Sequence, residues 1–235
     1  MSDIYCELSQ VYRDLSLEDF SIGFGKAVLS YFFRNGISVR SGLDLCCGTG
    51  GLCRLFAENG IRMTGIDLSR EMIGIAEKEV PGCCFLCGDV LKTVLPGPYD
   101  LVTCVDDSIN HFTKKEDLQL LFEKAYDLLS EGGHLVFDMI NPEAVTIGEP
   151  YRITGKNGMT GTYLLTETGN GLLDIGLTAF RDEKELFSVH SEERIYDRSG
   201  IWEMLLDSGF TMPVCATEFC GENTAIKIKI VAEKI

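Results

Sequence analysis

The run Leu43-Asp44-Leu45-Cys46-Cys47-Gly48-Thr49-Gly50-Gly51 restricts this chain more than any other stretch. An apolar segment bounded by glycines suits a buried parallel strand, and the glycines after it allow a tight turn in which backbone approaches a ligand. Further on, Gly65-Ile66-Asp67-Leu68-Ser69 ends a second apolar run with a carboxylate at the strand tip, a placement suited to ribose hydroxyls. Strand, glycine turn, helix start and acidic strand tip together read as a nucleoside pocket. The dinucleotide version of that pocket requires a third glycine where this chain has Cys53, which counts against a nicotinamide dinucleotide.

The unit repeats along the chain. An amphipathic helix is expected over 22–35, ending at Asn35-Gly36, before a strand at Leu43–Cys47. A helix over 51–59 stops at Gly60, a strand at 62–66 leads to Asp67, and Ser69 caps a helix through Glu79. Strands follow at Cys83–Cys87 and Asp100–Val105, then a helix at 115–129 stopped by Glu131-Gly132-Gly133, then a strand at His134–Met139. Such alternation predicts an α/β fold with a doubly wound parallel sheet.

After Pro142 the pattern changes. Residues 151–196 carry threonines, β-branched residues and the turn signals Lys156-Asn157-Gly158 and Gly169-Asn170-Gly171, which predict a small antiparallel β insertion of three or four strands. A helix around 199–208 returns to the core, and Thr211–Phe219 with Ala225–Val231 is expected as a closing hairpin around Gly221-Glu222-Asn223.

The pattern Asp44-x-x-x-Gly48-x-Gly50, with Asp67 beyond it, resembles motif I and the following acidic loop of class I S-adenosylmethionine-dependent methyltransferases. Cys46 stands where that family usually has its first glycine, so a thiol must fit near the amino acid portion of the cofactor. The resemblance covers the core from about residue 40 to 141 and 197 to 235. It implies a Rossmann-like sheet that closes with an antiparallel hairpin. Residues 1–141 and 197–235 would form the cofactor-binding core with an N-terminal helical segment, and 142–196 a lid over the acceptor. S-adenosylmethionine is the implied cofactor. Its implied contacts are Asp44, Gly48, Gly50, Asp67, Leu68, Met72, Asp89, Val90 and Val105. Among these, Asp67 would hold the ribose, and Asp89 with Val90 would flank the adenine.

The fourth strand tip, Cys104-Val105-Asp106-Asp107-Ser108-Ile109-Asn110-His111-Phe112, resembles the Ser-x-x-His-Leu segment of sugar-amine N,N-dimethyltransferases and glycine N-methyltransferase, with Phe112 in place of Leu. The Asn/Asp-Pro-Pro-Tyr of DNA amine methyltransferases is absent. His111 could take a proton from an acceptor amine or hydroxyl, or only orient the acceptor or cap the next helix. Methyl transfer from a sulfonium needs little covalent help, since alignment alone supplies on the order of 7–11 kcal/mol. Tyr5, Tyr12 and Phe20 belong to a segment that folds over the cofactor in related enzymes, where aromatic faces suit a sulfonium. Tyr12 matches the position of a Tyr-Asp there, with Arg13 replacing the Asp. His111 and Tyr12 are the expected catalytic residues. In the insertion, His190, Glu192 and Arg194 alternate onto one strand face, either solvated or, if that face covers the pocket, offering Arg194 to an acidic substrate group.

Composition narrows the partners. A net charge of −15, from 36 acidic and 21 basic residues with no Lys/Arg-rich run, argues against nucleic acid and for a small-molecule acceptor. No run approaches the ~20 apolar residues of a membrane span and Met1–Glu18 lacks the apolar core of a signal peptide, so no membrane and a cytoplasmic location are expected. The ten cysteines scatter through expected strands and helices as reduced small hydrophobes, and Cys84-x-x-Cys87 lacks a second ligand pair, so no metal is expected. A monomer or homodimer is anticipated, methylating N or less readily O by in-line displacement. Two other readings stay open: a non-catalytic S-adenosylmethionine-binding regulator, and an NAD-linked reductase, for which no Tyr-x-x-x-Lys pair exists.

Overall fold

The structure is a computed structural model that describes residues 8–9, 11–211, 213–215 and 227–234. After helix α1 (Glu18–Arg34), strands β1 (Ser41–Leu45), β2 (Arg62–Asp67), β3 (Cys84–Cys87), β4 (Tyr99–Cys104) and β5 (Leu129–Ile140) alternate with helices α2 (Gly51–Glu58), α3 (Arg70–Glu79) and α4 (Lys115–Leu128). Four strands follow: β6 (Tyr151–Thr154), β7 (Met159–Gly169), β8 (Leu172–Arg181) and β9 (Lys184–Arg194). The chain then adds α5 (Arg198–Asp207), β10 (Val214–Cys215) and β11 (Lys227–Glu233).

The main sheet has the order β10-β11-β5-β4-β1-β2-β3. Strands β1 to β5 pair in parallel, and β11 runs antiparallel to β5. Alternate side chains feed two cores. On one face Leu43, Leu45, Val102, Leu135 and Phe137 meet α4 and α5 through Leu118, Phe122, Ile201 and Leu205. On the other, Leu101, Val136 and Met63 meet α1, α2 and α3 through Phe24, Phe32, Phe56 and Ile73. Helices on both faces make the sheet doubly wound, as expected. Its strand tips on the β1-to-α2 side all open toward one edge, the usual ligand position in such sheets.

Two boundaries differ from expectation. Helix α1 starts at Glu18, earlier than the 22 read from periodicity, because buried Glu18 and Ser21 already face the glycine turn. Strand β5 starts at Leu129 and runs through the Glu131-Gly132-Gly133 stop. Gly132, at φ 73°, kinks the strand, and Gly132 N–H and Gly133 C=O pair with Lys234. In the closing pair, β10 joins β11, while the expected turn at Gly221-Glu222-Asn223 lies outside the described residues, as does Tyr5.

The four-stranded sheet is antiparallel in the order β6-β7-β8-β9. Its turns at Asn157-Gly158 and Asn170-Gly171 have positive φ at both residues, as tight hairpins demand. Asp182-Glu183 makes a third such turn without glycine, at φ 50° and 66°. Leu8, Val11 and Leu15 pack against this sheet, on Met159, Leu177 and Ala179. Among the described residues no helix is long and apolar enough to cross a membrane.

Candidate functional site

The turn after β1 is built on left-handed backbone: Cys46 has φ 59°, Gly48 53° and Gly50 77°. Cys46 thus occupies a conformation that glycine tolerates better, which explains why a glycine is usual there. The two glycines do different work. A Cβ on Gly48 would meet nothing within 4 Å, because Gly48 faces an open cavity of about 450 Å³. A Cβ on Gly50 would lie 2.8 Å from Phe85 Cζ, so Gly50 lets α2 start close above β3 and lies behind the cavity wall.

Asp44, Asp67, Leu68, Met72, Asp89, Val90 and Val105 line the same cavity. Asp67 reaches back from β2 and accepts hydrogen bonds from Gly48 N–H and Ser69 N–H, each at 2.8 Å, tying two strand tips together. Burial pushes its pKa up, offset by those backbone donors. Ser69 caps α3 by accepting from Met72 N–H at 3.2 Å, which fixes Met72 in the wall. Asp44 is fully buried and accepts from Thr103 Oγ1 at 2.6 Å; burial raises its pKa to about 7. Asp89 accepts from Leu91 N–H at 2.9 Å and Lys92 Nζ at 2.5 Å, and Lys92 holds its pKa below the usual range.

Sequence reasoning missed Glu18. This buried acid lines the cavity, accepts from Thr49 Oγ1, and is held by Arg13 Nε at 2.9 Å. Arg13, where the resembled family has an acid, therefore binds a carboxylate that α1 brings to the glycine turn. The local signal, an acid in the first turn of α1, was hidden by placing that helix too late.

The tip of β4 forms an acidic knot. Asp106 and Asp107 both adopt positive φ, and their N–H groups donate to buried Asp138 at 2.7 and 3.1 Å. Lys227 from β11 sits at 2.6 Å from Asp106, 2.9 Å from Asp107 and 3.7 Å from Asp138. Its Nζ also lies 3.8 Å over the Phe20 ring, so that aromatic face is engaged by lysine. Tyr12 OH donates to Asp106 at 2.9 Å. Burial raises the Asp138 pKa to about 7 despite Lys227.

His111 closes a short turn, Ser108–His111. Asn110 pins that turn, donating to Arg194 C=O at 2.7 Å and accepting from Ile140 N–H at 3.1 Å. Burial pushes the His111 pKa down against Asp107 and Asp106, favouring the neutral ring. Its Nε2 is 3.7 Å from Glu193 Oε1. Tyr12, Asp106 and His111 line both the first cavity and a second one of about 860 Å³ under the four-stranded sheet.

On β9 the face of His190 and Glu192 is the solvated one, the first of the two alternatives read from sequence. Val189, Ser191 and Glu193 face the second cavity. His190 turns outward to Asp174 at 2.8 Å, and Arg194 donates to the backbone carbonyls of Thr113 and Asn170, so it clamps the His111 loop and is not turned to a substrate.

Residues 43–133 match the family described as methyltransferase domain. A Bacillus subtilis (strain 168) protein with a provisional methyltransferase name is 38% identical over 101 residues, 41% of each chain. The dTDP-3-amino-3,6-dideoxy-alpha-D-glucopyranose N,N-dimethyltransferase of Streptomyces fradiae is 31% identical over 116 residues, 49% of this chain and 46% of that one. This chain thus spans less than half the length of these curated relatives. The solved structure of SAM-bound CalS10, an amino pentose methyltransferase from Micromonospora echinaspora, superposes with TM-score 0.76 at 20% identity over 90% of both chains. Residues 43–133 therefore form a methyltransferase domain, and the chain shares its fold with a solved S-adenosylmethionine-bound methyltransferase.

Proposed function

We propose that this protein transfers a methyl group from S-adenosylmethionine to a nitrogen of a small-molecule acceptor. The observation that carries the reading is the junction at Tyr12, Asp106 and His111, residues that line both a cavity walled by the glycine turn and a second, larger one beside it. A donor pocket and an acceptor pocket must meet at the reacting atoms, and a mere sensor of the cofactor needs no second chamber. When bound, S-adenosylmethionine supplies an activated methyl on a sulfonium.

The chain's own residues then divide the work. Gly48 leaves room for the ligand, Asp67 would receive ribose hydroxyls, and Asp89 with Val90 would flank the base. Glu18 offers a carboxylate to the ammonium of the amino acid portion. His111, held neutral by burial, would accept the proton of an acceptor amine at Nε2 or Nδ1. Tyr12, fixed by Asp106, would hold the acceptor side of the junction. Residues 142–196 would cover the acceptor, and the core of 1–141 and 197–235 would hold the cofactor. Nitrogen is favoured over oxygen by the N,N-dimethyltransferase activity of the Streptomyces fradiae relative.

Calorimetry against S-adenosylhomocysteine and NAD, followed by S-adenosylhomocysteine release with a panel of small amines, amino sugars and phenols, tests this. Binding of S-adenosylhomocysteine and not NAD, with release on an amine, is expected. NAD binding alone would reject the reading, and release on phenols alone would move it to oxygen.

A further inference from the structure

The larger cavity carries more about the acceptor than the proposed reaction requires. Its sheet wall is apolar, with Leu165, Ile175, Leu177 and Val189. Tyr151 and Tyr163 stack beside them, ring centroids 5.2 Å apart and 14° from parallel. The end near His111 is acidic. Glu193 is there with a side chain only 7% exposed, and its Oε2 is buried without a hydrogen-bond partner. Asp107 Oδ1 is buried and unpartnered as well. Natively folded proteins rarely leave such oxygens unmet unless a water, an ion or a ligand supplies the partner.

The charge balance of this wall excludes one class of occupant. Among the described lining residues only Lys227 and His111 can carry positive charge, against Asp19, Asp106, Asp107, Glu149 and Glu193. Lys227 is committed to Asp106 and Asp107, and burial works against protonated His111. A diphosphate, as in a nucleotide-linked sugar, finds no free cation there.

We propose that the acceptor is a cationic amine on an apolar, phosphate-free body, its ammonium received by Glu193 and Asp107 and its body by the Tyr151–Tyr163 wall. This rests on the methyltransferase reading and narrows its substrate. An ammonium group donates up to three hydrogen bonds, which suits a cavity end lined by the carboxylates of Glu193 and Asp107 with a donor left for His111 or solvent. Burial and the neighbouring Asp107 raise the Glu193 pKa to about 8, so an arriving cation restores an ionised carboxylate that the empty wall disfavours. The other groups acting on Glu193 are Ser191 on its own strand, Lys227 on β11, and Asp106 and His111 in the loop after β4.

The test is calorimetric titration of the full chain with 2-(2-naphthyl)ethylamine, the alcohol of the same shape, and a thymidine-diphosphate amino sugar, with and without saturating S-adenosylhomocysteine. The amine should bind at least tenfold tighter than the alcohol, and the diphosphate sugar weakest. Glu193→Gln should erase the amine preference to within a few fold. Asp107→Asn should weaken it in part, asparagine being tolerated at φ 59°. If Glu193→Gln melts early, Asp107→Asn carries the comparison. Equal binding of amine and alcohol, no binding of the amine, tightest binding of the diphosphate sugar, or an amine preference untouched by the substitutions each overturns the proposal. Absence of S-adenosylhomocysteine binding would instead overturn the methyltransferase reading, while titration of the unloaded chain still decides the chamber's preference.

Discussion

Tyr12 OH donates to Asp106 Oδ2 at 2.9 Å across 94 residues of sequence, and both residues line the two cavities. The bond ties the N-terminal segment to the tip of β4. Tyr12→Phe removes a donor to an ionisable partner, a change worth about 1.5–3 kcal/mol. A tenfold or greater fall in kcat/KM is expected, with S-adenosylhomocysteine affinity changed less. Steady-state kinetics beside calorimetry measures both, and unaltered kcat/KM would remove Tyr12 from the junction's chemistry.

Asp67 bonds the glycine turn through Gly48 and its own helix through Ser69. Asp67→Ala should therefore cost roughly ten- to a hundredfold in S-adenosylhomocysteine affinity. Ser69→Ala, which removes only the cap on α3, should cost ~1 kcal/mol of stability and little affinity. Calorimetry and thermal melting separate the two. Equal affinities for both variants would contradict the assignment.

His111→Ala is expected to lower amine turnover by ~10²-fold while cofactor affinity stays within a few fold. The deficit should narrow at high pH, where more of the amine arrives unprotonated. A histidine that only holds the loop predicts a lower melting temperature and unchanged turnover per folded molecule.

Burial raises the pKa of Glu193 to about 8 and of Asp44 to about 7. A carboxyl whose folded pKa lies above its unfolded value favours folding in its protonated form. Its contribution is full below about pH 4 and is lost as pH rises through the folded value. Thermal midpoints should accordingly fall between pH 5 and pH 8.5. Glu193→Gln should recover several degrees at pH 8.5 and almost none at pH 5. A melting profile in which the variant and parent stay parallel across that range would refute the shift at Glu193.

The doubly wound sheet was legible because its strands are apolar runs closed by glycines, and Asp44, Gly48, Asp67 and Asp89 fall at their ends. The second sheet was legible from two Asn-Gly turns, yet Asp182-Glu183 makes its third turn with residues that carry no such signal. Tertiary contacts decided the rest. Glu18 is a functional candidate only because α1 lies on the glycine turn, and Lys227 only because β11 runs beside β5. On β9, alternation marked two faces but gave no means to choose between them. Packing against the N-terminal segment chose Val189 and Glu193 over His190 and Arg194.

Leu8, Val11 and Leu15 are buried on Met159, Leu177 and Ala179, and Asp14 C=O accepts from Lys156 N–H at 2.6 Å. For anyone grafting acceptor specificity between such proteins, residues 8–17 and 151–194 are one cassette. A chimera that exchanges the second stretch alone would strand the apolar side of the first against a foreign surface, and the transplant should aggregate. Moved together, the two stretches carry their shared seam with them, so the donor's selectivity can travel while the nucleoside end of the recipient stays as it was.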